Sequence, residues 1–297
     1  MSLADSELVD PRFFATLANL ELIARGVVEG FLHGLHRSPY VGFSVEFASH
    51  REYLPGDDLR HLNWKLYGRH DRLYVKQYDA ETNLDLHLVL DVSASMETRS
   101  GPLSKMRYAS ALTAALAHLA LGQRDAVGIT LFADQVLAHL KPRSRPTQLE
   151  EILQTIENMP FRPEADSARV LHEVAELMPR RGMVVVISDL FFEPQDLMSG
   201  LDHLRFLGHD LLLFQILDPL EARLPVDGHV RFRDLETGAE MVTQPAEIRE
   251  AYLRAIDTWL KDLDTSCSSR GIDRLYLTTD QPLDRALFDY LTRRAQV

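Results

Sequence analysis

Leucine occupies every second position from 84 to 90, and the run ends in Asp91-Val92-Ser93-Ala94-Ser95-Met96. Apolar residues at period two make a strand with one buried face. A carboxylate followed by hydroxyls at alternate positions then forms a compact patch of hard oxygen donors. Such donors suit Mg²⁺ or Mn²⁺, which take octahedral oxygen coordination and keep water where the protein supplies nothing. Serines after a strand also act as turn formers and helix caps, so D-x-S-x-S alone has two readings. A helix is expected over 103–121. The loop therefore lies at the carboxyl end of a strand, where open α/β sheets place their sites.

Strands and helices alternate from residue 84 onward, the pattern of a mostly parallel sheet with crossover helices. Ala126–Asp134 reads as a strand with Val136–Leu140 as its hairpin partner, and helices are expected at 147–157 and 167–178. Met183–Asp189 is a continuous apolar run up to Ser188, the mark of a strand covered on both faces. A helix over 195–206, a strand over 211–217, a helix over 246–264, a strand over 273–278 and a helix over 282–294 follow. The stretch 218–244, rich in turn residues (Pro219, Pro225, Asp227, Gly228, Gly238), is a β excursion with strand pieces at 230–233 and 240–243. The expected fold is α/β: a doubly wound, mostly parallel sheet with one antiparallel edge strand over 81–297, preceded by a helical and β extension over 1–80. In that extension Leu17, Leu20, Ile23, Val27 and Phe31 recur at helical spacing. Residues 43–47 and 74–78 alternate as short strands, and Pro55-Gly56 marks a type II turn.

Composition excludes several function classes. A net charge of −12 makes the chain a poor general binder of nucleic acid or anionic membrane. Residues 37–76 carry seven Lys/Arg against five Asp/Glu, which reads as a solvated face with internal ion pairs rather than a nucleic-acid patch. Cys267 is the single cysteine, so no intrachain disulfide can form and a reducing compartment is expected. No apolar run reaches the ~18 residues of a membrane span, and Asp5, Glu7 and Asp10 stand where a signal peptide would be apolar. A cytoplasmic protein with no membrane span is the expectation. No phosphate loop, zincin helix or G-x-S-x-G elbow is present. A phosphatase reading of Asp91 lacks the second aspartate, where Ser93 stands. His87, on the strand face opposite the leucines, reads as a hydrogen-bonded core histidine.

The strand, the D-x-S-x-S-Met loop, the helix after it and the later Val-Ile-Ser-Asp189 strand end resemble a von Willebrand factor type A domain. Gly42 to Glu46, Arg51, Tyr53, Pro55-Gly56-Asp57-Asp58, Arg60 and Trp64 narrow the resemblance to the bacterial family called domain of unknown function 58. The genes of that family commonly neighbour MoxR-type AAA+ ATPases. The resemblance implies a metal-ion-dependent adhesion site at Asp91, Ser93, Ser95 and Asp189. The threonine of that site falls on Ala165, which has no ligand atom, leaving Asp166 or Ser167 as substitutes. Mg²⁺ or Mn²⁺ would then be held weakly. Asn63 stands where an aspartate is frequent in the family. The block from Arg51 to Trp64 reads as structural first, with Arg51 and Arg60 forking onto Asp57 and Asp58. The implied function is a non-catalytic adaptor or chaperone-like module working with a MoxR-type ATPase. The alternatives are a metal-dependent hydrolase, with Glu97 or Asp189 as base, and a metal-free scaffold.

Overall fold

The central strand, β3 (Asp85–Asp91), carries Leu86, Leu88 and Leu90 on one face and His87 and Val89 on the other. Both faces are covered. The computed structural model describes residues 20–25, 27–28, 50–52, 74–76, 85–159, 169–235 and 238–284. The chain divides into two units, Ser38–Asn83 and the remainder.

In the smaller unit, β1 (His50–Glu52) pairs antiparallel with β2 (Tyr74–Lys76), Arg51 lying opposite Val75. The strand expected at 74–78 is thus present over three residues, and its partner runs from His50 into the start of the Arg51–Trp64 block. The strand expected at 43–47 lies outside the described residues.

The larger unit is built on a six-stranded sheet in the order β10-β7-β6-β3-β4-β5. Its strands are β3, β4 (Ala126–Phe132), β5 (Val136–Arg143), β6 (Met183–Ser188), β7 (Asp210–Leu217) and β10 (Asp273–Thr278). All neighbours run parallel except β4 and β5. On one face lie the Ala-rich α1 (Lys105–Gly122), α2 (Gln148–Glu157) and the helical residues 20–25 and 27–28, whose Leu20, Ile23 and Val27 are fully buried. On the other lie α3 (Val170–Glu176), α4 (Pro194–Phe206) and the end of α6 (Pro245–Ser268). The doubly wound sheet with one antiparallel edge is the expected architecture. Leu20, Ile23, Ala24 and Val27 from ahead of the Ser38–Asn83 unit are buried in the core of this sheet.

Each strand and helix expected in 103–278 is present, with ends shifted by a few residues. The β excursion holds β8 (Val230–Arg233) and β9 (Glu240–Thr243), paired antiparallel. It also holds a helix that turn composition concealed, α5 (Pro219–Arg223). Asp218-Pro219-Leu220-Glu221 closes a reciprocal capping box, with proline in the first helical turn. The last expected helix starts at Leu283, and its continuation lies outside the described residues. Gly200 on α4 faces α3 so closely that a Cβ there would meet the Leu171 Cβ at 2.4 Å.

Candidate functional site at the carboxyl ends of β3 and β6

β3 connects rightward to β4, while its other neighbour, β6, begins the leftward half of the sheet. The strand order therefore reverses between β3 and β6, and the crevice beyond their carboxyl ends is where such sheets bind ligands. Leu90 pairs with Ile187, which puts Asp91 level with Ser188 and brings the D-x-S-x-S loop beside Asp189.

Asp91 is buried and both of its oxygens are engaged. Oδ1 accepts the Ser93 backbone N–H at 2.9 Å, and Oδ2 accepts the Ser188 hydroxyl at 2.6 Å. Burial first, and the Asp189 charge second, push the Asp91 carboxyl up to about 6. Ser93 Oγ lies 3.0 Å from Ser95 Oγ, and Ser95 Oγ donates to Asp189 Oδ2 at 2.7 Å. Leu190, buried with φ 61°, turns the chain sharply after Asp189. Its N–H is taken by Ser188 Oγ at 2.9 Å, and the Phe191 N–H donates to Asp189 Oδ1 at 3.2 Å. The four expected ligands Asp91, Ser93, Ser95 and Asp189 are thus assembled in one network. Asp166 and Ser167, with Ala165, lie outside the described residues, as do Tyr53, Gly56, Asp57, Asp58, Arg60 and Trp64.

Two participants were not read from the sequence. Lys105, in the first turn of α1, is fully buried, and its ammonium donates to Asp189 Oδ2 at 2.7 Å and to Glu221 Oε1 at 2.6 Å. A cation at a helix N-terminus opposes the macrodipole, and a buried one also loses its hydration. Burial alone would lower the lysine, but Asp189 and then Glu221 outweigh it and hold the ammonium above its ordinary value. Burial, opposed by Lys105, leaves the Glu221 carboxyl above its ordinary value. Two carboxylates thus converge on one ammonium. Glu221 is positioned by the α5 capping box, its Oε2 accepting the Asp218 N–H at 2.8 Å. Asp218 in turn accepts the Ser100 N–H at 2.9 Å and the Ser100 hydroxyl, tying α5 to the loop before α1. The D-P-x-E cap signature at 218–221 is the signal that could have found Glu221; no local pattern marks Lys105.

Above Lys105 lies an aromatic pair. The Phe191 ring centroid is 5.1 Å from the ammonium, and Phe191 stacks on Trp259 of α6 at 5.0 Å and 12°. Phe191 remains 47% exposed. Glu97, offered as a base for hydrolysis, is exposed on the short turn of helix over Ala94–Glu97.

A divalent ion does not fit these residues as they stand. Mg²⁺ wants oxygens at about 2.0–2.1 Å, yet the Asp189 oxygen nearest the serines already holds an ammonium and a hydroxyl. Each oxygen of Asp91 and Asp189, and both of Glu221, has a donor. Among the described residues, no group of three His, Cys, Asp or Glu is arranged to hold a metal.

Fold and site together define an α/β domain with an oxygen-lined loop at the switch point of its sheet. The family of proteins of unknown function DUF58 matches residues 49–259, and the chain belongs to that family. It is 30% identical over 285 residues to uncharacterized proteins of Mycobacterium tuberculosis and Mycobacterium bovis, covering 94% of this chain and 89% of theirs. Among solved structures it is similar to the conserved hypothetical protein BatB of Bacteroides thetaiotaomicron, with 16% identity and a TM-score of 0.47 over 72% of this chain and all of that one. It is also similar to the VWA domain of SpRpn10, with 12% identity and a TM-score of 0.39 over 69% of this chain and 93% of that one. No helix among the described residues is long and apolar enough to cross a membrane.

Proposed function

We propose that the chain is a non-catalytic protein-binding module that works with a MoxR-type AAA+ ATPase, docking through the rim formed by the carboxyl ends of β3 and β6. The observation that carries this reading is the Phe191–Trp259 pair, a half-exposed aromatic stack placed over the switch point of the sheet. Aromatic anchors of this kind dominate the energetics of protein interfaces. The polar groups beneath it bond to one another, which supports a rigid platform rather than a reactive centre. Asp91 and Asp189 spend their oxygens on serine hydroxyls, backbone N–H groups and the Lys105 ammonium, which supports a structural role for both.

Co-expression with the MoxR-type ATPase of the same organism tests the proposal. Wild type should co-purify with the ATPase, and Phe191→Ala should not, with unchanged circular dichroism. Equal recovery of both proteins would remove the rim as docking surface. Metal-dependent hydrolysis of a substrate panel, lost in Ser95→Ala, would replace the binding reading by an enzymatic one.

A further inference from the structure

We infer that Lys105 supplies the resident cation of this loop: its ammonium takes the Asp189 oxygen that a divalent ion would need and does that ion's structural work. The inference concerns the loop's own architecture and does not depend on which partner docks above it. Three carboxylates, Asp91, Asp189 and Glu221, lie within one hydrogen-bonded cluster, and like charges buried together need a counter-charge. The chain provides it covalently. Lys105 Nζ links Asp189, from β6, to Glu221, from α5, at 2.7 and 2.6 Å. Ser95 Oγ donates to the same Asp189 oxygen at 2.7 Å, so the D-x-S-x-S loop and α1 meet on one carboxylate oxygen of β6's end.

The location argues for a dedicated role. Placing lysine at the head of a helix and then burying it completely is unfavourable twice over, unless carboxylates are built to receive it. The capping box on Asp218 fixes Glu221 for that purpose. The Phe191 ring closes the remaining side, its face 5.1 Å from the ammonium, as cation–π contact prefers. A metal loop depends on the free concentration of its ion. A lysine loop is closed permanently, so its rim has one shape whatever the divalent cation supply.

The test uses the full chain with Mn²⁺ as probe. Calorimetry on wild type should show no binding at millimolar Mn²⁺, and neither Mn²⁺ nor a chelator should move its melting temperature. Lys105→Met leaves two carboxylates without their counter-ion and should lower the melting temperature by about 10 °C. Mn²⁺ should raise the melt of this variant. Adding Asp189→Asn and Glu221→Gln removes the unpaired charge, so the triple variant should recover most of the loss. That recovery keeps the inference testable even if the single variant fails to fold. Wild-type binding of Mn²⁺ abolished by Asp91→Asn would overturn the inference. So would a Lys105→Met protein melting like wild type, a folded Lys105→Met protein indifferent to Mn²⁺, or a triple variant no more stable than the single one.

Discussion

His87 should make the sheet domain acid-sensitive, and the size of the effect follows from its surroundings. The side chain is buried on the β3 face opposite the leucines, and its Nε2 has no hydrogen-bond partner among the described residues. The ring lies edge-on to His209, centroids 5.9 Å apart. Burial first, then the charges of His209 at the head of β7 and His139 on β5, lower His87 from 6.5 to about 4. A histidine lowered on folding is neutral in the native state, while the unfolded chain takes up a proton below pH 6.5. Stability is therefore fully present above the unfolded value and is lost as pH falls toward the folded one. Linkage gives a loss of about 2 kcal/mol at pH 5 and about 3 kcal/mol at pH 4. Asp91, raised on folding, drifts the opposite way over the same range, so wild type alone is not diagnostic. Replacement by an apolar side chain of similar size isolates the histidine, because the contribution of Asp91 is common to both proteins. Urea unfolding of wild type and His87→Leu, followed by far-UV circular dichroism, should show wild type losing about 2 kcal/mol relative to the variant between pH 7.5 and 5. Parallel stability curves across that interval would refute the reasoning.

Ser188→Ala removes one of the two donors to the buried Asp91 carboxylate and the acceptor of the Leu190 N–H. It should cost about 2 kcal/mol in urea unfolding at neutral pH, without changing the volume of the core appreciably. Gly200→Ala gains helix propensity of about 1 kcal/mol but places a methyl 2.4 Å from the Leu171 Cβ, so overpacking of about 1–3 kcal/mol should prevail. Its melting temperature should fall, whereas Gly101→Ala, which meets nothing within 4 Å, should melt within a degree or two of wild type.

Much of the architecture was legible because each core strand carries a strong signal. The alternating leucines before Asp91 and the unbroken Met183–Ser188 run announce two buried strands, and their parallel register then places Ser188 beside Asp91. The Asp91, Ser93, Ser95 and Asp189 cluster was legible as a set of residues for the same reason. Its chemistry was not, because the decisive groups come from elsewhere in the chain. Lys105 reads as an ordinary polar residue at the start of an apolar helix until the fold brings Asp189, 84 residues away, within 2.7 Å. Glu221 sat in a stretch whose prolines and glycines suggested turns, although Asp218-Pro219-Leu220-Glu221 is a helix start. The expectation that His87 is hydrogen-bonded finds no partner for Nε2 among the described residues, since periodicity reports which face a residue lies on and not what it meets there. Phe191 and Trp259 are 68 residues apart, and no local pattern links them.

The central claim is that the β3–β6 rim binds a MoxR-type ATPase through its aromatic pair. The most direct measurement is the dissociation constant of the purified chain for the purified ATPase, taken by biolayer interferometry on wild type, Phe191→Ala and Trp259→Ala. Wild type should bind saturably, and each variant should bind at least about tenfold more weakly, the loss of a hot-spot side chain. Absence of saturable binding by wild type, or equal affinities for all three proteins, would contradict the claim.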